Sequence, residues 1–143
     1  MSEYKNLDLF SIIKKTQINT PVFLDKVSAG FPSPATDYME NKLDLNEYLI
    51  KNPAATYFVR VSGDSMIDAY IGDGAILVVD RSVEPKHKSI VVAAINGSYA
   101  CKRLLTKPKV CLASENSKYA PIFIKENEEL EIAGVVIAAI NTY

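Results

Sequence analysis

Apolar residues change their spacing twice along this chain. Over residues 1–29 they are scattered (Leu7, Leu9, Phe10, Ile12, Ile13), and Pro21 is the only Pro or Gly. Such a stretch can dock on a surface but is too short to build a core of its own. Ala29-Gly30-Phe31-Pro32-Ser33-Pro34-Ala35 follows. Each X-Pro pair drives its preceding residue toward an extended backbone, and Gly30 removes side-chain restriction just upstream. The segment reads as an exposed, extended linker.

At Asp44 the pattern changes. Asp44-Leu45-Asn46-Glu47 has the form of a capping box, with Tyr48, Leu49 and Ile50 behind it and Pro53 as a stop. A helix of about two turns is predicted there. Beyond residue 55 the runs are short, apolar and β-branched or aromatic: 56–61, 75–80, 89–95, 98–105, 109–113 and 130–140. Asn96-Gly97 between two of them is a hairpin signal, because both central residues of a type I′ turn need positive φ. No stretch keeps the 3.6-residue period of a long helix. The predicted class is mainly β, a curled or barrel-like domain of at least six strands carrying a flexible N-terminal arm.

Composition narrows the function. The chain has 143 residues, 48% hydrophobic and 23% charged, which is ordinary for one folded domain and excludes wholesale disorder. A net charge of −1 speaks against direct, sequence-specific DNA binding through a basic surface. The longest apolar run, Ile132 to Ile140, is nine residues against the roughly 20 that a membrane helix needs. No secretory signal is visible in the first residues, so a cytoplasmic location is expected. Cys101 and Cys111 form neither a disulfide framework nor a metal motif and read as small buried apolar residues. No cofactor is predicted.

Candidate chemistry is sparse. The single histidine, His87, lies in a charged turn (Pro85-Lys86-His87-Lys88), which suits an exposed loop better than a general base. No phosphate-cradling glycine motif occurs, and Gly72-Asp73-Gly74 has the composition of a turn between strands. Ser62-Gly63-Asp64-Ser65-Met66 remains: a serine just after a strand, beside a Gly that permits a sharp turn whose amides could face an oxyanion. A serine nucleophile needs a base. Without histidine, that base is a carboxylate or a lysine held neutral. On the run 98–105 side chains alternate faces, so Lys102 sits with Ala100 and Leu104 while Arg103 sits with Tyr99, Cys101 and Leu105. One of the two cations must turn toward the packed side, and alternation does not say which. Only lysine gives up its proton on burial, and it would have to do so far below the ~10.4 of a free side chain.

The ordered set Ser62-Gly63-Asp64-Ser65-Met66 and Cys101-Lys102-Arg103-Leu104 resembles the serine and lysine boxes of the LexA-like self-cleaving peptidases, the S24 class. Ala29-Gly30-Phe31-Pro32-Ser33-Pro34-Ala35, Asp44-Leu45-Asn46, Ala55-Thr56-Tyr57-Phe58-Val59 and Gly134-Val135-Val136-Ile137 are similar to its UmuD-type branch, accessory subunits of an error-prone polymerase made in the SOS response. The resemblance runs from about residue 29 to about residue 140. It implies Ser65 as nucleophile, Lys102 as general base and Ala29–Gly30 as the bond cut in the chain's own arm. It also implies an arm of residues 1–29, a processed body of residues 30–143, stimulation by the RecA–single-stranded DNA filament, a homodimer, and association with a UmuC-type Y-family DNA polymerase. The LexA and phage repressors carry a helix-turn-helix domain before their cleavage site. Twenty-nine residues before Gly30 are too few for one, which ranks a repressor lower. A polymerase-regulating binding module that does no chemistry is the other alternative.

Overall fold

The structure is a computed structural model, and it describes residues 8–10, 17–23, 29–30 and 40–143. Two compact units divide the chain: one holds strand β1 (Asp8–Phe10) together with everything from Asn52 onward, and the other lies within residues 13–51.

The smaller unit contains β2 (Thr20–Phe23) paired antiparallel with β3 (Glu40–Leu43), followed by α1 (Leu45–Leu49). The predicted helix is present but shorter than two turns. Asp44 caps it, its Oδ1 accepting from the Asn46 amide at 3.0 Å. Glu47 does not complete the capping box; its carboxylate accepts from Gln17 Nε2 at 3.3 Å instead. With one cap and no buried helical residue, little holds α1 beyond Leu49, and Ile50 is already extended. Of the predicted linker only Ala29 and Gly30 lie within the described residues. Both are exposed and sit in a bend.

The larger unit is built on one antiparallel sheet in the order β1-β4-β5-β10-β6-β7-β8-β9. Its strands are β4 (Thr56–Arg60), β5 (Ile76–Asp80), β6 (Ile90–Ile95), β7 (Ser98–Leu105), β8 (Cys111–Ala113), β9 (Ile122–Phe123) and β10 (Leu130–Ile140). The mainly β class is therefore as predicted, but the sheet is not closed into a barrel. Its outermost strands, β1 and β9, do not pair with each other.

Each face carries its own core, which is why the strands read as continuous apolar runs rather than clean alternations. Val59, Met66, Ile71, Leu77, Val79, Val92 and Cys101 pack on one side; Val91, Ala93, Leu104, Leu112 and Val135 pack on the other. Asn96 and Gly97 turn β6 into β7 with φ of 51° and 85°, the geometry the hairpin signal requires. Asp80 is fully buried at the end of β5. Burial by itself would raise its pKa, yet bonds from Asn52 Nδ2 (2.9 Å) and from the Ser82 amide and hydroxyl (2.8 and 2.6 Å) hold the carboxyl below its ordinary value.

β10 joins the two halves of the sheet. Residues 130–135 pair with β6 and residues 135–140 with β5, with irregular register on either side of the crossover. At the crossover, a Cβ on Gly134 would stand 2.5 Å from Val79 Cγ1. Val79 is itself fully buried and β-branched, so it has no room to rotate away. Gly134→Ala is accordingly expected to destabilise the protein by about 1–3 kcal/mol, read from the denaturant midpoint. An unchanged midpoint would mean that the strands can spread at this point.

Candidate functional site

β4 ends at Arg60, and the chain turns back through Ser62-Gly63-Asp64-Ser65-Met66 into a 3-10 turn at Ile67–Ala69. Gly63 adopts φ +92°, a conformation closed to most side chains, and this makes the sharp turn possible. Asp73, in the Gly72-Asp73-Gly74 turn, fixes it from behind: its Oδ1 accepts from the Gly63 amide at 2.8 Å. Met66 is buried and roots the segment in the core. Ser65 is thereby presented at the end of a rigid connection.

Lys102 reaches the same point from β7. Its Nζ lies 3.0 Å from Ser65 Oγ and 2.9 Å from Ser114 Oγ. The Tyr119 ring stands 5.7 Å from the same nitrogen. Among the described residues no carboxylate is bonded to this amine. The nearby Asp64 carboxylate instead accepts from Tyr119 Oη at 2.6 Å, and Asn116 Nδ2 donates to the Asp64 carbonyl at 2.9 Å. Ser65, Lys102, Asp64 and Tyr119 line a cleft of about 260 Å³, with Val61, Met66 and Ile71 forming part of its apolar wall.

The alternation argument left open which cation turns inward. Both faces of β7 prove to be packed, since Cys101 and Leu104 are both buried. Each cation is half-buried and has found a partner suited to it. Arg103 pairs with Glu115 at 2.6 Å and donates to the Lys88 carbonyl at 2.6 Å. Among the described residues Lys102 meets only hydroxyls and a ring. Desolvation therefore lowers its pKa below the ordinary value. A thiolate at Cys101 would oppose this, but burial pushes that thiol up to about 12 and keeps it neutral.

Two sequence-predicted residues, Ser65 and Lys102, are thus within hydrogen-bond distance of each other. Ala29 and Gly30 belong to the smaller unit. His87 plays no part here; its Nδ1 accepts from the Thr106 amide at 3.0 Å in a loop. Sequence reasoning missed Ser114, Tyr119 and Asp73. For Ser114 a signal appears only once the strands are aligned: Arg103 lies opposite Ala113, so the next position places Ser114 opposite Lys102.

The family described as Peptidase S24-like matches residues 21–137. The chain belongs to that family. Among its relatives, Protein MucA of Salmonella typhimurium is 46% identical over 91% of this chain and 90% of its own length. Protein ImpA of Shigella flexneri is 46% identical over 85% of this chain and 83% of its own. The LexA repressor of Clostridium novyi is 31% identical over 92% of this chain but only 64% of its own length. Within the Peptidase S24-like family this is a UmuD-type member, a UmuD-like SOS mutagenesis protein. The S24 family is one of self-cleaving serine peptidases, and in this member no described helix is long and apolar enough to cross a membrane.

Proposed function

We propose that this S24 protein is a serine–lysine peptidase that cuts its own Ala29–Gly30 bond. The observation that carries the reading is the 3.0 Å approach of Lys102 Nζ to Ser65 Oγ, with no carboxylate among the described residues bonded to the amine. Neutral Lys102 accepts the Ser65 hydroxyl proton as Oγ bonds to the Ala29 carbonyl carbon, and the carbonyl electron pair moves onto its oxygen. The Gly63 amide is committed to Asp73, so other backbone N–H groups around Ser65 face that oxyanion. Collapse breaks the C–N bond, and Lys102 returns the proton to the Gly30 nitrogen. Water then hydrolyses the Ala29 ester, activated by the same amine.

The scissile segment has a place to lie. Along β7, β8 pairs only with Arg103, Leu104 and Leu105, so residues 98–102 run beyond it, and Tyr99 to Lys102 line the cleft. An extended Ala29-Gly30 segment can add there as a strand, its backbone supplying the bonds. The small residues Ala29 and Gly30, both exposed, bring no bulk to the serine. Seating excludes water and favours neutral Lys102, so an effector that stabilises the seated state accelerates the reaction by shifting population. The RecA–single-stranded DNA filament is the effector proposed. Residues 1–29 are released, and residues 30–143, as a homodimer in the cytoplasm, serve a UmuC-type Y-family DNA polymerase as its accessory subunit.

The test is the N-terminal sequence of the product. Incubation in alkaline buffer, or near neutral pH with RecA filaments on single-stranded DNA, is expected to yield a fragment that begins at Gly30. A fragment with another terminus would place the bond elsewhere, and an intact chain under both conditions would overturn the reading.

A further inference from the structure

Resting on that reading, we propose that Ser114 is a positioning residue that aims the lone pair of Lys102 at Ser65. A neutral amine has one lone pair and two N–H groups, and a lysine ending in open space spins freely about its last bond. Here Ser114 Oγ lies 2.9 Å from Nζ and Ser65 Oγ lies 3.0 Å from it. If one N–H donates to Ser114, the lone pair is free to accept from the Ser65 hydroxyl. When the proton arrives the amine becomes an ammonium with three donors, and the bond to Ser114 persists without rearrangement. It also strengthens, because it is now charge-assisted. A contact stronger after proton transfer than before it lowers the barrier.

Ser114 is held firmly enough for this task. It follows the last residue of β8 and shares the face of Lys102 in the β7–β8 register. The next residue, Glu115, is tied down three ways: its carboxylate by Arg103 at 2.6 Å, its carbonyl by the Asp68 amide at 2.8 Å, and its own amide by Met66 Sδ at 3.4 Å. Two of those bonds run to the segment that presents Ser65, so Ser65 and Ser114 are fixed in one frame.

The ionisable groups around the amine are Cys101, Arg103 and Tyr99 on β7, Asp64 and Tyr119 across the cleft, and Glu115. Asp64 is engaged by Tyr119 and Glu115 by Arg103. None of these pairs includes Ser114, so its replacement leaves them in place.

The experiment compares the full-length protein with Ser114→Ala and Ser114→Thr. Self-cleavage rates are measured from pH 6 to 10.5, and the Lys102 side chain is titrated directly by isotope-edited NMR in each, in a Ser65→Ala background. Ser114→Ala is expected to lower the alkaline plateau rate at least about tenfold, as loss of aim does. It is also expected to move the Lys102 titration to lower pH, because the ammonium has lost an acceptor. Ser114→Thr, which keeps the hydroxyl, is expected to restore both. Equal plateau rates in wild type and Ser114→Ala overturn the proposal while leaving the serine–lysine reading intact, and so does equal loss in Ala and Thr. If wild type does not cleave at any pH, the peptidase reading fails. The titration then stands alone, and coincident curves for Ser114 and Ser114→Ala remove the contact as well.

Discussion

Replacing either Ser65 or Lys102 with alanine is expected to abolish release of residues 1–29, lowering the rate by at least about 10³-fold. The two side chains act as one unit, so the double variant should be no slower than the slower single one. Removing Ser65 deletes the oxygen that forms the new bond. Removing Lys102 leaves a hydroxyl that water alone must deprotonate, since the one histidine is engaged elsewhere with Thr106. Lys102→Arg is a stricter control: it keeps length and charge, but a guanidinium is never neutral near physiological pH and cannot accept a proton. It should be as inactive as alanine. Ser65→Cys provides the converse, because a thiol ionises far more readily than a hydroxyl. Lys102→Ala should therefore cost less in the cysteine background than in the serine one. The measurement is the accumulation of the shorter band over time, with thermal unfolding as the check on folding. Cleavage by Lys102→Ala within tenfold of wild type would mean that some other group takes the proton.

Some of this architecture is readable from residue order and some is not, for physical reasons. β7 and β10 coincide with the predicted runs because both are long, apolar and bounded by turn residues. The Asn96-Gly97 turn follows from its need for positive φ. β9 escapes notice because two residues between Pro121 and a polar loop carry no period. β1 and β2, at three and four residues, are hidden for the same reason in the scattered stretch before residue 30. Whether a curled sheet closes into a barrel depends on whether its outermost strands meet, and the pattern within a strand has no bearing on that. At the site, Ser65 and Lys102 stood out by residue type. Ser114 did not, since a serine is meaningful only once the β7–β8 register sets it opposite an amine. Asp73 looked like turn chemistry and is turn chemistry, but its carboxylate also holds the glycine two places before Ser65.

The second large effect is on pH. Below the lowered pKa of Lys102, each pH unit multiplies its neutral fraction about tenfold, so cleavage should climb steeply above pH 7 and level off once the amine is neutral. Other titrations in the cleft do not mimic this rise. Tyr119 and Asp64 share a hydrogen bond that lifts the phenol above its ordinary value and holds the carboxyl below its own, so that pair keeps its charge state across the neutral range. Cys101, pushed up to about 12, stays a thiol throughout. Loss of folding does not mimic it either, as the sign shows. Between the lowered folded pKa and the ~10.4 of the unfolded side chain, the unfolded state binds more protons at this residue, so stability from Lys102 increases with pH across that window. Rate and stability from this one side chain therefore rise together. A rate that stays flat from pH 7 to 10 would show that proton loss from Lys102 does not limit the reaction. The Lys102→Ala protein, lacking the group that titrates, should show no such rise at whatever residual rate it keeps.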